Sequence, residues 1–357
     1  MRAIETTPIK LQPNRPATAV KLSAMTSTRL LRRHLLTLLL ALAASGTAQA
    51  CGRLTLANMN WQSAELLAQV DRLILQAGYG CQVDLVPGDT LPTLTSMMAK
   101  GQPDVAPEAW INGVREPMLK AVAAGRLHLA GTALRDGGIE GWWIPKFVAD
   151  AHPEIRSIAD ALKRPDLFPA PENRQQGAVH NCPAGWQCQI VMANLFKAHG
   201  AAAKGFVLVD PGTAAALDGT VARAHQRQQG WLGYYWSPTA LLGQYAMVKL
   251  AEGVPHDNAE WQRCTSVAGC AAPKPNAWPR AEVYTLVTDR FKLAGGPAYA
   301  YLARRSWDSA TVNAMLAWMV AQQATGEQGA RQFLKTRPEL WQAWVDPAVA
   351  ARVRAAL

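Results

Sequence analysis

Trp110, Trp186 and Trp236 are the residues of this sequence best suited to chemistry. They stand in Pro107-Glu108-Ala109-Trp110, in Cys182-Pro183-Ala184-Gly185-Trp186-Gln187-Cys188 and in Tyr234-Tyr235-Trp236-Ser237-Pro238. Each lies where a strand pattern gives way to a turn, so three indole faces can converge on one cavity. The face of an indole attracts a cation through the ring quadrupole, and a quaternary ammonium, which has no N–H to donate, is usually held by a box of such rings. A cation-binding aromatic cage is therefore the chemistry these residues predict.

Catalysis has little to stand on. The sequence contains no Gly-x-Ser-x-Gly, His-Glu-x-x-His, P-loop or Gly-x-Gly-x-x-Gly. His180 stands two residues before Cys182 and could serve a cysteine nucleophile as base, but a cysteine held in a disulfide cannot attack. No cofactor or metal site is expected: Cys182 and Cys188 have no histidine following at zinc-site spacing, and C-x5-C is not a redox C-x-x-C.

The elements that position these loops begin after residue 50. Met25 to Ala50 reads as a secretory leader, with Arg29, Arg32 and Arg33 ahead of an apolar run from Leu35 to Ala44 and an Ala48-Gln49-Ala50 cleavage site. Cys51 directly after that site raises a lipoprotein alternative. The sequence ahead of it lacks the leucine such sites carry, so ordinary cleavage and a periplasmic location are the expectation. Full-length, the chain has 36 Lys and Arg against 26 Asp and Glu; seven of those bases and one acid fall in residues 1–50, leaving 29 against 25 and a net charge of +4. The remaining bases are dispersed, so nucleic acid is not an expected partner.

All six cysteines lie beyond residue 50, in a chain expected to meet an oxidising compartment. Cys182 with Cys188 would close a short loop, Cys264 with Cys270 would bracket a polar one, and Cys51 with Cys81 would join the starts of two neighbouring strands.

Strand and helix patterns alternate through most of the chain, which predicts an α/β fold with largely parallel sheets. The run opens with a strand at 53–58, a helix at 63–77 whose buried face is Leu66, Leu67, Val70, Leu73 and Ile74, and a strand at 81–86. Some 307 residues after the leader exceed one comfortable core and predict two lobes. The glycines of Asp136-Gly137-Gly138-Ile139-Glu140-Gly141 mark a place where the chain can cross between them. The expected division is 1–50 for the extension and leader, 51–150 for the first part of lobe one, 151–239 for lobe two and 240–357 for the return to lobe one.

Over about residues 53–345 the sequence resembles the substrate-binding proteins of ABC importers for glycine betaine, proline betaine and choline. The resemblance rests on Asn60-Trp61, Gly101-Gln102-Pro103-Asp104-Val105 leading into Glu108-Ala109-Trp110, Gly141-Trp142-Trp143-Ile144-Pro145, the Cys182 to Cys188 loop and Tyr234-Tyr235-Trp236-Ser237-Pro238. It implies a type II two-lobed periplasmic-binding-protein fold with the ligand in the cleft, and a monomer that hands its solute to an inner-membrane permease and cytoplasmic ATPase. It places the family's cage tryptophans on Trp110, Trp186 and Trp236, with Trp61 and Trp142 as further candidates for the wall. It also assigns the backbone amides of Gln187 and Cys188 to the ligand carboxylate, which agrees with the free N–H groups of a helix start there.

The sequence also departs from the family. A carboxylate-binding histidine of the glycine betaine binders falls on Val114, with Arg115 next to it as a possible substitute. Two acids of the choline-type members fall on Ser63 and Trp186. Glycine betaine, with proline betaine, is accordingly the expected ligand. Choline, carnitine, another amine or a sulfonate, or a sensor that presents its solute to a membrane receptor, are the alternatives. Of the other tryptophans, Trp231 and the C-terminal Trp307, Trp318, Trp341 and Trp344 are expected to pack in cores, and Trp261 and Trp278 to staple the Cys264–Cys270 loop.

Overall fold

A computed structural model describes residues 51–357. The expected leader, with its Ala48-Gln49-Ala50 site, lies outside the described residues. The chain builds two five-stranded sheets. The first contains β1 (Arg53–Met59), β2 (Gln82–Gly88), β3 (Val105–Trp110) and β4 (Leu127–Thr132), completed by β10 (Val283–Thr288), in the order β2-β1-β3-β10-β4. The second contains β5 (Ile139–Pro145), β6 (Gly177–His180), β7 (Phe206–Val209), β8 (Gly233–Ser237) and β9 (Met247–Lys249), in the order β7-β6-β8-β5-β9.

Each sheet is parallel over three strands and then turns antiparallel. Strand β10 runs against β3 and β4, and β5 runs against β8 and β9. These are the strands by which the chain enters each lobe from the other. The parallel strands point their C-terminal ends at the cleft, so a strand arriving through the cleft must run the opposite way. That exchange lies outside what alternating strand and helix patterns convey. Sheet membership also puts 139–145 and 247–249 in the second lobe, although the sequence suggested keeping both with the first. We place the crossovers at 133–138 and 250–282, where only isolated bridges such as Gly138 with Ala281 join the chain.

Helix Gln62–Tyr79 lies on the first sheet and ends where Gly80 takes a left-handed conformation (φ 69°) and donates its N–H to Gln76 O. Its Leu66, Leu67, Val70, Ile74 and Leu75 are fully buried, whereas Leu73 is only partly so. The helices after β10 cover the same sheet. Among them Trp307 packs on Phe333 (ring centroids 4.3 Å apart) and Trp344 (5.2 Å), a packing role for these tryptophans. No helix among the described residues is long and apolar enough to cross a membrane.

All three expected cysteine pairs are bonded: Cys51 to Cys81, Cys182 to Cys188 and Cys264 to Cys270. A Cys51 sulfur in a disulfide is not available to a lipid.

The second lobe buries His180 and half-buries His199. His180 stacks on Trp231 (5.3 Å, 8°) and His199 meets the edge of Trp142 (6.0 Å). Burial pushes both down from the ordinary 6.5 to about 4, aided at His180 by Arg223 and at His199 by Lys204. As pH falls from about 6.5 to about 4 the unfolded chain takes up these protons and the folded chain does not, so each histidine withdraws stability over that window. His180→Phe should remove a loss of up to about 3 kcal/mol there. In melting curves against pH, its Tm should fall less on acidification than that of the parent, by several degrees. An unchanged acid slope would refute a buried neutral His180.

Candidate functional site

The C-terminal ends of β1, β3, β6 and β8 deliver their loops to one cavity between the sheets, with about 480 Å³ of unfilled space, part of it open to solvent. Trp186 lines it. Its ring meets Trp61 edge to face (centroids 5.3 Å, 74°) and Trp236 likewise (5.0 Å, 82°). All three rings line the cavity, and an indole face open to it would suit a cation. Trp110 lines the same cavity. Its ring lies against Gly138, where a Cβ would overlap it. That glycine therefore makes room for Trp110 at the cavity.

A buried acid fixes two of these rings. Trp61 Nε1–H and Trp110 Nε1–H both donate to Glu108 Oε1, at 2.7 and 2.8 Å, and the Ser63 hydroxyl donates to the same oxygen at 2.9 Å. Glu108 and Trp110 are two residues apart on β3, so they share a face of the strand. Burial holds the Glu108 carboxyl above its ordinary range, outweighing the three hydrogen bonds and the charge of Arg305. Ser63 is the position where an acid was expected in choline-type relatives. Here the serine binds an acid carried by a different strand.

The loop of Trp186 ties the lobes together. Trp186 Nε1–H donates to Asn60 Oδ1 (2.7 Å) and Leu91 N–H donates to Gly185 O (3.1 Å), both linking the second lobe to the first. Helix Gln187–Ala198 starts directly behind this loop. Gln187 and Cys188 line the cavity, and their backbone N–H groups have no acceptor among the described residues. The Gln187 side chain donates to Ser266 O (2.9 Å) and rests on Gly113, where a Cβ would overlap it.

Other expectations fall elsewhere. Trp142 is fully buried and outside the cavity. It pairs across the sheet with Tyr234, two residue pairs along from Glu140 and Trp236, and its ring lies against His199. Val114 is buried away from the cavity, and Arg115 forms an ion pair with Glu282 on an outer groove, so it does not replace the missing histidine. Asn112 of the same turn does reach the cavity.

Several residues at the site carry no obvious sequence signal. Trp261 and Trp278 line the cavity, packed edge to face at 5.5 Å, in addition to framing the cysteine loop. Tyr234 and Glu140 form its floor, joined by a hydrogen bond from the Tyr234 hydroxyl to Glu140 Oε1 (2.9 Å). The alternation on β8 could have found Tyr234, since it shares a face with Trp236. Glu140 could have been found only from the register that sets it opposite Trp236. No group of acids, histidines and cysteines among the described residues could hold a metal ion.

The family description "substrate binding domain of ABC-type glycine betaine transport system" matches residues 52–336. A search of curated proteins returned no significant match. Among solved structures, the glycine betaine, L-proline ABC transporter binding protein of Borrelia burgdorferi is similar, at 16% identity and a TM-score of 0.67 over 84% of this chain and 99% of that one. A choline-binding protein of an ABC transporter, in complex with choline, aligns at 17% identity and a TM-score of 0.68, covering 86% and 98%. The lactococcal protein in its closed form with glycine betaine aligns at 18% identity and a TM-score of 0.63, covering 83% and 100%. These likenesses establish the two-lobed type II periplasmic-binding-protein fold.

Proposed function

We propose, from the premise that this chain belongs to the family of substrate-binding domains of ABC-type glycine betaine transport systems, that it captures a small quaternary ammonium compound in an aromatic cage. Glycine betaine is the first ligand of this reading and proline betaine the second. The protein is a solute-binding component and not an enzyme; it works outside the cytoplasm, in the periplasm on this reading, and passes its solute to an inner-membrane permease.

The observation that carries the reading is Trp186, in contact with Trp61 and Trp236, in a cavity also lined by Gln187 and Cys188, whose backbone N–H groups have no acceptor among the described residues. The indoles would hold the trimethylammonium end. The two amides, at the positive end of a twelve-residue helix, would hold the carboxylate. This division needs no histidine at position 114. The similar proteins, which bind glycine betaine, proline or choline, support the ligand class.

Binding would proceed by closure of the lobes. Trp61 and Trp110 come from the first lobe and Trp186 and Trp236 from the second, so the cage is complete only when the cleft is shut. A ligand that touches both sides binds the closed state better and shifts the population toward it.

Calorimetric titration with glycine betaine, proline betaine, carnitine and choline tests this. Glycine betaine should give a saturable heat and a change in tryptophan fluorescence. Silence toward all four compounds in both measurements would overturn the proposal.

A further inference from the structure

We propose that Glu140 is the specificity residue of this cavity, setting which net charge the bound quaternary amine carries. Ionised, it favours a cation without a carboxylate; protonated, it favours the zwitterion. The inference rests on the function proposed above and deepens it.

Glu140 is buried in the floor of the cavity, directly across the sheet from Trp236. One oxygen accepts the Tyr234 hydroxyl, and no donor among the described residues reaches the other. A carboxylate is not needed to hold the fold at this point, since no cation pairs with it. Glu108 lies behind Trp61 and Trp110 and is committed to their indoles. Lys249, beside Gly141, is paired with Glu252, and Arg280, beside Gly137, bonds Asp136 O. Tyr234, itself pushed well above its ordinary value by burial, is the one titratable group bonded to Glu140.

A lone carboxyl in such a place has two useful states. As an anion it attracts an ammonium and repels a ligand carboxylate sharing the cavity, with little water to screen either effect. As a neutral acid it loses both effects and gains an O–H that can donate to a carboxylate. Burial pushes the group up from 4.5 to about 7, against the Tyr234 hydrogen bond, so both states are reached within the range an extracytoplasmic protein meets. The two ends of the cavity then oppose each other. Amides at Gln187 and Cys188 invite a carboxylate, and Glu140 decides whether the remaining charge allows one.

The test is calorimetry with choline and glycine betaine, at about pH 5.5 and about pH 8.5, either side of the Glu140 transition, on the full chain and on Glu140→Gln. In the parent, the ratio of the choline Kd to the glycine betaine Kd should fall at least about tenfold from the lower to the higher pH. Glu140→Gln keeps a partner for Tyr234, and its ratio should stay near the low-pH value throughout. Tyr234→Phe removes the one bond that stabilises the anion, so the transition should move to higher pH. A pH-independent ratio in the parent, or an undiminished shift in Glu140→Gln, would overturn the inference while leaving quaternary amine binding intact. If neither ligand binds the parent at either pH, the proposed function itself fails.

Discussion

Trp186→Ala should weaken glycine betaine binding by roughly 30-fold or more while leaving a folded protein. A desolvated cation–π contact is worth about 2 kcal/mol. Trp186 contributes more than its own face, because its ring fixes the edges of Trp61 and Trp236 and its N–H occupies Asn60. With it gone, the neighbouring rings lose their orientation and the lobes lose one of their bridging bonds. The fold should survive, since the ring borders a cavity and the loop keeps its Cys182–Cys188 bond. Trp142→Leu supplies the contrast. Trp142 is fully buried outside the cavity, so its truncation should cost about 3 kcal/mol of stability, with a change in Kd of less than about threefold. Calorimetry and denaturant unfolding on both variants check the pair. Equal effects of the two on Kd would refute the assignment of Trp186 to the cage.

The largest effect on stability is expected at Asp71. Its carboxylate and the guanidinium of Arg305 form an ion pair at 2.9 Å with both side chains wholly buried beneath the first sheet. Tyr301 donates to the other Asp71 oxygen at 2.5 Å, and the same Arg305 nitrogen also donates to Pro107 O and Thr285 Oγ1. Pro107 precedes Glu108, so this network underlies the strand that carries the indole acceptor. Burial raises the Asp71 carboxyl even against the charge of Arg305, a sign that the pair carries a real desolvation cost. Asp71→Ala leaves an unpaired buried guanidinium and should lower stability by about 3–5 kcal/mol. The double variant Asp71→Leu with Arg305→Met should recover much of that loss, because removing both charges also removes the cost of burying them. Denaturant midpoints of the single and double variants measure both effects. A single variant within about 1 kcal/mol of the parent would refute the network.

The two predictions concern different kinds of residue, and the sequence treats them differently. Trp186 was legible because its surroundings are local: two cysteines six residues apart, a proline and a glycine define its loop, and a helix pattern follows at once. The same holds for Cys264 with Cys270, and for Trp110 and Trp236, each at the end of a recognisable strand. Asp71 and Arg305 were not legible. They are 234 positions apart, and nothing near either one marks a partner in the core.

Trp142 shows where local reasoning stops. Side chains alternate along a strand, so placing Trp142 and Trp143 on opposite faces needed only the sequence. How far along the strand the cavity begins depends on the register between β5 and β8, which sets Glu140 opposite Trp236 and Trp142 two pairs further along, opposite Tyr234. Trp261 and Trp278 reach the cavity for a similar reason. They belong to the segment by which the chain returns to the first lobe, and the path of that segment across the cleft carries no local signal.

The sequence by itself determined the alternating α/β character, the three cysteine pairs and three indoles that line the cavity, since each is marked by short loops or by the starts and ends of neighbouring strands. Tertiary structure alone decided the strand exchanged into each sheet, the burial of Trp142, and the acids that attend the site: Glu108 behind two indoles and Glu140 in the floor. Those acids acquire their roles from burial and from partners on other strands. Desolvation is a property of the finished packing, and no run of residues contains it.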